Sequence, residues 1–265
     1  MPVRVVESKQ NARLKELRRA LAASGRETTG RVGIEGPNLL EEALRAGLRI
    51  TTVFVAQGSE RLLDALPLPP ETELLLLPRP LLDSALTTET PQPIAALVEP
   101  PDWTWAHLLG THQGGAALVI VLAAVQDPGN LGTILRSAEA FGAAGIFLTE
   151  GTVSPYNSKV LRGSAGSIFR LPLVRIPSAE LIPLLRARGV RLLATSSHQG
   201  TPLPQISWTL PLAIFIGNEG AGLSRELTRH MDETLAIPQA AQVESLNAGV
   251  AASIVLYEAA RAGQT

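Results

Sequence analysis

The stretch from Leu118 to Val125 carries no polar side chain over eight consecutive residues. A strand with one wet face alternates polar and apolar positions, whereas a strand buried on both faces does not. The run therefore predicts a strand inside a parallel sheet, whose neighbours must be reached by crossover helices. The sequence that follows supplies them. Helical patterns cover Leu131 to Phe141, a segment opening at Asn157 to Leu161, and Ala179 to Ala187, closed by Gly189. Ser224 is placed to cap Arg225 to His230, and a final helix spans Glu244 to Arg261. Between them lie strand-like runs at Gly145 to Leu148, Leu171 to Ile176, Val190 to Thr195, Leu212 to Ile216 and Thr234 to Ile237. The alternation predicts an open, doubly wound α/β sheet with ligand loops at the carboxyl ends of its strands.

The first hundred residues form a second pattern. Leu14, Leu17 and Leu21 recur at helical spacing over Ala12 to Ala23, with Ser8 expected as the N-cap. A short strand at Val32 to Gly36 leads to Pro37, which opens a helix that Gly47 ends. Thr51 to Ala56, Leu74 to Leu77 and Ile94 to Val98 read as strands, and Leu81 to Ala85 as a short helix. Pro100-Pro101 breaks the pattern, and Asp102 to Gly115 reads as a linker. The expected division is a small α/β domain over 1–105 and a larger one over 106–265.

The net charge of −1 conceals a gradient. Residues 1–31 hold eight basic side chains against three acidic ones, and residues 32–100 hold four against ten. Lys9, Arg13, Arg18 and Arg19, with Lys15, form a local basic patch suited to phosphates, a solvated helix face being the competing account. Lys159, Arg162 and Arg170 form a second such patch. With no cysteine, disulfides and thiolate chemistry are excluded. His107, His112, His198 and His230 lack metal-ligand spacing, so no metal is expected. No apolar run reaches the ~20 residues of a membrane span, and a cytoplasmic protein is expected.

Three polar islands in the second half interrupt apolar runs. Asp127-Pro128-Gly129-Asn130-Leu131-Gly132 follows the first strand, with Asn130 expected to cap the next helix and Arg136 nearly two turns deeper. A capped turn with Arg136 at the surface or tied to Glu139 is the competing account for this island alone. Gly217-Asn218-Glu219-Gly220-Ala221-Gly222 has the glycines for close backbone approach, but no ribose-binding acid stands at dinucleotide spacing. Glu219 suits a ligand rich in hydroxyls or amines, or a brace for Arg136. In the third island, Ser245 and Asn247 stand at the start of a helix rich in small residues. Capping by Glu244 or Ser245 explains the first turn but not Asn247. No Gly-Lys-Ser/Thr and no Gly-x-Ser-x-Gly motif occurs, which argues against P-loop hydrolysis and serine-hydrolase chemistry.

Taken in order, Asn130-Leu131-Gly132-Thr133-Ile134-Leu135-Arg136, Ile216-Gly217-Asn218-Glu219-Gly220-Ala221-Gly222-Leu223 and Ile237-Pro238 with Val243-Glu244-Ser245-Leu246-Asn247 resemble the three motifs of the SpoU/TrmH RNA ribose 2'-O-methyltransferases, in the SPOUT superfamily. Arg31 to Leu44 resembles the family's substrate-binding domain, and Ser154 to Gly166 the region between motifs in its ribosomal-RNA branch. The chain departs from the pattern at Gln239-Ala240-Ala241-Gln242, where a Met-x-Gly run is commoner, and at Gly249.

The resemblance implies S-adenosylmethionine as cofactor, a homodimer, and a trefoil knot in the C-terminal parallel sheet. It implies a cofactor site at Thr195, Ser196, Gly200, Ile216, Gly217, Ile237 and Leu246. It implies Arg136 as the residue that activates the ribose hydroxyl, as base or by electrostatic help, with Asn130, Glu219, Ser245 and Asn247 organising the reaction site. Lys9, Arg13, Arg18, Arg19, Lys159 and Arg162 would hold RNA, ribosomal RNA in preference to tRNA. The 2'-hydroxyl accounts for choosing RNA over DNA. Three alternatives are a tRNA enzyme, a non-catalytic RNA- or ribosome-binding protein of the same fold, and a nicotinamide-dependent oxidoreductase using the 217–222 loop. The second would be expected to have lost a motif residue, and the third lacks an early fingerprint.

Overall fold

The computed structural model describes residues 2–22, 25–110, 117–197, 199–240 and 244–263. His112, His198, the end of the expected linker and most of the loop expected over Gln239 to Val243 lie outside the described residues, as does the C-terminal end of the helix expected to reach Ala23. The chain forms two compact units, one of residues 1–102 with 154–169, the other of 103–153 with 170–265.

In the first unit a five-stranded sheet has the order β1-β4-β3-β5-β2. Its strands are β1 (Val3–Val5), β2 (Val32–Glu35), β3 (Arg49–Ala56), β4 (Glu73–Leu77) and β5 (Ile94–Glu99). β1, β4 and β3 run parallel, and β5 pairs antiparallel with β3 and β2. Helices α1 (Ala12–Ala20), α2 (Gly25–Thr29), α3 (Pro37–Arg45) and α4 (Arg79–Asp83) accompany it. Leu14 and Leu17 of α1 and Leu82 of α4 share a core cluster with Phe54, Leu75 and Leu77. Each such side chain, fully buried, contributes about 1.5–3 kcal/mol. The helix is capped by Asn11, not Ser8: its side chain accepts from the backbone N–H of Arg13 and Leu14. Asn11 is adjacent to the first helical residue, the position from which a short side chain reaches those free donors.

The first unit also takes in a segment from beyond the expected cut at 105/106. Residues 154–169, which contain α7 (Ser158–Ser164), cluster with the first unit although they lie between two strands of the second. Tyr156 is buried there, its hydroxyl accepts from Arg26 at 3.0 Å, and the guanidinium lies 5.3 Å from its ring centroid. Gly166, at φ +87°, approaches Glu42 so closely that a Cβ would stand 2.6 Å from it.

The second unit opens with α5 (Trp105–Leu109). Its sheet, in the order β10-β12-β9-β11-β6-β7-β8, is parallel throughout. The strands are β6 (Leu118–Leu122), β7 (Gly145–Leu148), β8 (Leu173–Arg175), β9 (Arg191–Ser196), β10 (Thr201–Pro202), β11 (Leu212–Ile216) and β12 (Glu233–Ala236). The helices are α6 (Pro128–Ala140), α8 (Ser178–Arg186), α9 (Arg225–Thr228) and α10 (Ala248–Ala262). All five residues of β6 are buried, as the unbroken apolar run requires. The strand ends three residues before Val125, because Ala124 turns to φ +59°. That left-handed turn is costly for a residue with a Cβ and directs the chain into the first polar island. Among the described residues, no helix is long and apolar enough to cross a membrane.

Candidate functional site

The three islands meet at the carboxyl ends of β6, β11 and β12. Asp127, not Asn130, caps α6: its Oδ1 accepts from Asn130 N at 2.8 Å. Pro128 settles the register, since proline fits the first helical position, where no backbone donor is needed. Asn130 is thereby moved into the first turn, 6% exposed, with its amide free to bridge. Its Nδ2 donates to Glu219 Oε1 at 3.0 Å, and its Oδ1 accepts from Asn247 Nδ2 at 2.8 Å. One residue from each island thus joins a continuous chain of polar contacts.

Glu219 gathers donors from the first island. Oε1 also accepts from Asp127 N at 3.0 Å, and Oε2 from Gln126 N at 3.2 Å. Burial pushes its carboxyl upward, but the hydrogen bonds from Asn130 and the Asp127 and Gln126 backbone outweigh that and hold it below the usual carboxylate range. Glu219 braces Asn130 and the loop, not Arg136. Glu139, the other expected partner of Arg136, pairs with Arg170 at 2.5 Å. Arg170 belongs to the second unit, and Lys159 and Arg162 to the first. Arg136 itself is exposed and has no hydrogen bond or ion pair among the described residues.

Asn218 shapes the glycine loop. Its Oδ1 accepts from Gly220 N and Ala221 N, its backbone pairs with Gly222, and its Nδ2 donates to Ala124 O at 2.9 Å. Gly217 can only be glycine: a Cβ there would lie 2.2 Å from the carbonyl carbon of Gly222. At Gly200, φ +131°, a Cβ would lie 2.3 Å from Thr234 O. Asn247 is the N-cap of α10, accepting from Gly249 N and Val250 N, so the final helix starts at Ala248 and leaves Glu244 and Ser245 before it. Gly249 in turn packs against Thr133 of α6, and Ser137 shares a 2.7 Å hydrogen bond with Ser253.

Beside this network lies a cavity of about 780 Å³. Thr195, Ser196, Gly200, Ile216, Gly217, Ile237 and Leu246 all line it, as do Glu219 and Ser245. Asn130, Arg136 and Asn247 do not. Asp127, Asn218 and Glu244 were not among the expected site residues; the Asp-Pro pair is the signal that could have marked the first. In the first unit, Lys9, Arg19, Lys159 and Arg162 are exposed. Arg13 is committed to Glu73 and Glu16, each at 2.9 Å, and Arg18 contacts Ser84 Oγ and Lys9 O. No group of three His, Asp or Glu side chains arranged for a metal ion occurs among the described residues.

A cavity at the carboxyl ends of a parallel sheet, walled by glycine turns with both polar and apolar side chains, is where open α/β proteins bind their ligands. Comparison with known proteins specifies which. Residues 117–257 match the model of the SpoU rRNA methylase family, and 11–96 that of the MRM3-like substrate binding domain. The 23S rRNA (guanosine(2553)-2'-O)-methyltransferase RlmP of Bacillus subtilis is 35% identical over 254 residues, covering 95% of this chain and 97% of that protein. The SpoU methyltransferase AviRb from Streptomyces viridochromogenes, solved with AdoMet, superposes with a TM-score of 0.84 at 30% identity, covering 97% and 99% of the two chains. The AdoMet-bound rRNA methyltransferase from Sinorhizobium meliloti gives 0.83 at 31%, with 98% of each covered. The chain belongs to the SpoU rRNA methylase family, as an RNA methyltransferase that uses S-adenosylmethionine. The site suits that cofactor: the glycines leave room that a Cβ would fill, and the lining includes carboxylates that favour a cation.

Proposed function

We propose that this enzyme methylates a ribose 2'-hydroxyl of large-subunit ribosomal RNA, acting in the cytoplasm. The observation that carries the reading is the Glu219–Asn130–Asn247 chain, which fixes the three motif loops together at the edge of the cavity. Ribosomal RNA is favoured over tRNA because the RlmP relative matches both halves of the chain and is named for 23S RNA.

S-adenosylmethionine, when bound, supplies an electrophilic methyl group. The chain's residues hold it and orient the acceptor: Ile216, Ile237 and Leu246 furnish apolar walls, and Thr195, Ser196, Gly200 and Gly217 the polar and backbone contacts. Arg136 faces the acceptor strand. A guanidinium stays protonated, so its work is to position the hydroxyl or a neighbouring phosphate and to stabilise negative charge developing on oxygen, not to remove the proton. Asn130 and Asn247 hold the first and third loops in register, Glu219 anchors the first, and Ser245 stands at the reacting edge. The 1–105 region and α7 recruit RNA through Lys9, Arg19, Lys159 and Arg162, with Arg18 contributing and Arg13 held by its two glutamates.

A homodimer completes the reading. Val250, Ile254 and Tyr257 of α10 are 47%, 36% and 54% exposed and recur at helical spacing, an apolar row on the surface of one copy, with the Tyr257 ring edge-on to Phe141. Arg136 does not line its own chain's cavity, which supports an active site at the pair's interface. The return of β12 between β10 and β9 supports a knotted chain.

Methylation mapping of large-subunit RNA, small-subunit RNA and tRNA with labelled cofactor tests the proposal. Modification confined to the large-subunit RNA is expected, and modification of tRNA alone would overturn the choice. Light scattering at micromolar concentration should give a dimer; an active monomer would remove that part.

A further inference from the structure

The charge of the cavity is one-sided. Its lining contains two carboxylates, Glu219 and Glu244, and no lysine, arginine or histidine among the described residues. Thr228 of α9 reaches the lining, but its helix neighbours Arg225 and Arg229 do not. The two carboxylates differ in what they already do. Glu219 accepts from Asn130 Nδ2 and from the backbone of Gln126 and Asp127, so its charge is largely spent on holding the first loop. Glu244 is exposed and accepts no hydrogen bond and forms no ion pair among the described residues. It stands beside Ser245 and Leu246, which line the same cavity, and it lies outside α10, whose cap is Asn247.

A free carboxylate in a concave site with apolar walls concentrates cations there. S-adenosylmethionine carries a sulfonium and one net positive charge at neutral pH. The demethylated product, S-adenosylhomocysteine, has a neutral thioether and no net charge. Adenine, ribose and the amino-acid end are common to both, so shape and hydrogen bonding separate them poorly. Charge separates them.

We propose that Glu244 sets the preference of this cavity for the charged cofactor over the neutral product, and so favours exchange of one for the other after each methyl transfer. It acts on binding and takes no part in bond making. The inference rests on the proposed placement of the cofactor in this cavity.

Calorimetry on the full chain tests it, with S-adenosylmethionine, S-adenosylhomocysteine, and an analogue bearing a protonated amine in place of the sulfonium. Glu244→Gln should weaken the two cations roughly three- to tenfold, leave the thioether within about twofold, and lose this selectivity at high salt. Glu244→Asp, which keeps the charge, should keep the preference. Equal weakening of all three ligands by Glu244→Gln, or no weakening of any, overturns the inference. Ala248→Trp, built to fill the cavity from its wall, separates the two levels. If it leaves all binding intact, the cofactor lies elsewhere and both readings fall. If it abolishes binding while Glu244→Gln treats cation and thioether alike, only the charge-selection role falls.

Discussion

Replacing Asn130 tests the bridge between the three loops. Its backbone N–H, not its side chain, is what the cap residue Asp127 engages, so Asn130→Ala leaves the start of α6 capped. What it removes is the 3.0 Å bond to Glu219 and the 2.8 Å bond from Asn247. A neutral hydrogen bond is worth about 1 kcal/mol, and one to a charged group about 1.5–3 kcal/mol. Glu219 and Asn247 are exposed and regain water, which pulls the sum down to about 2 kcal/mol, or ~4–8 °C in the melting of a domain this size. Asn130→Asp is the sharper variant. It still accepts from Asn247 but sets a second carboxylate against Glu219 Oε1. The negative charge gains about 0.3–1 kcal/mol from the helix N-terminus, less than the lost donor and the repulsion cost. Aspartate should therefore be worse than alanine at neutral pH, and the order should narrow in acid as the pair takes up a shared proton. Scanning calorimetry and cofactor titration of the three proteins at neutral and acid pH give the comparison. An aspartate variant as stable as wild type at neutral pH would refute the bridge.

Arg136→Ala should leave the fold and cofactor binding intact, because the side chain is exposed and unpaired, while single-turnover methyl transfer falls far more than RNA affinity. Arg136→Lys should rescue poorly, since an ammonium lacks the planar fork; a near-wild-type rate for the alanine variant would remove Arg136 from the mechanism. The depressed Glu219 carboxyl predicts a pH dependence. A folded-state value below the unfolded one contributes stability that is fully present above the unfolded value of about 4.3 and is lost as pH falls through the folded value. Wild type should thus exceed Glu219→Gln in stability at neutral pH, with the gap closing below about pH 4. A gap that persists unchanged well below about pH 4 would show that the carboxylate's charge does not hold the loop.

Much of this architecture is legible where local pattern and burial coincide. The run at Leu118 announces a strand buried on both faces, and Leu212 to Ile216 matches β11 end to end. Motif order points to the cavity because loops at one end of a parallel sheet converge whatever their sequence separation. Long-range partners are what the sequence hides. Asp127 and Asn130 are both good caps, and only the observed contacts show that one caps while the other bridges to residues 89 and 117 positions away. Arg13 counts toward a basic patch until Glu73, 60 residues on, is found against it. Residues 154–169 lie between strands of one unit yet pack on the other, which periodicity cannot reveal because it reports that a face is buried, not against what.

The central claim is that the acceptor is a ribose oxygen. Once mapping has located the modified nucleotide, single-turnover methyl transfer should be compared between that RNA and one carrying a single 2'-deoxy sugar at the same position. The account predicts that both bind with similar affinity, because phosphate contacts dominate RNA binding, and that the deoxy RNA accepts no methyl group. Undiminished transfer to the deoxy RNA would place the methyl on a base and contradict the account.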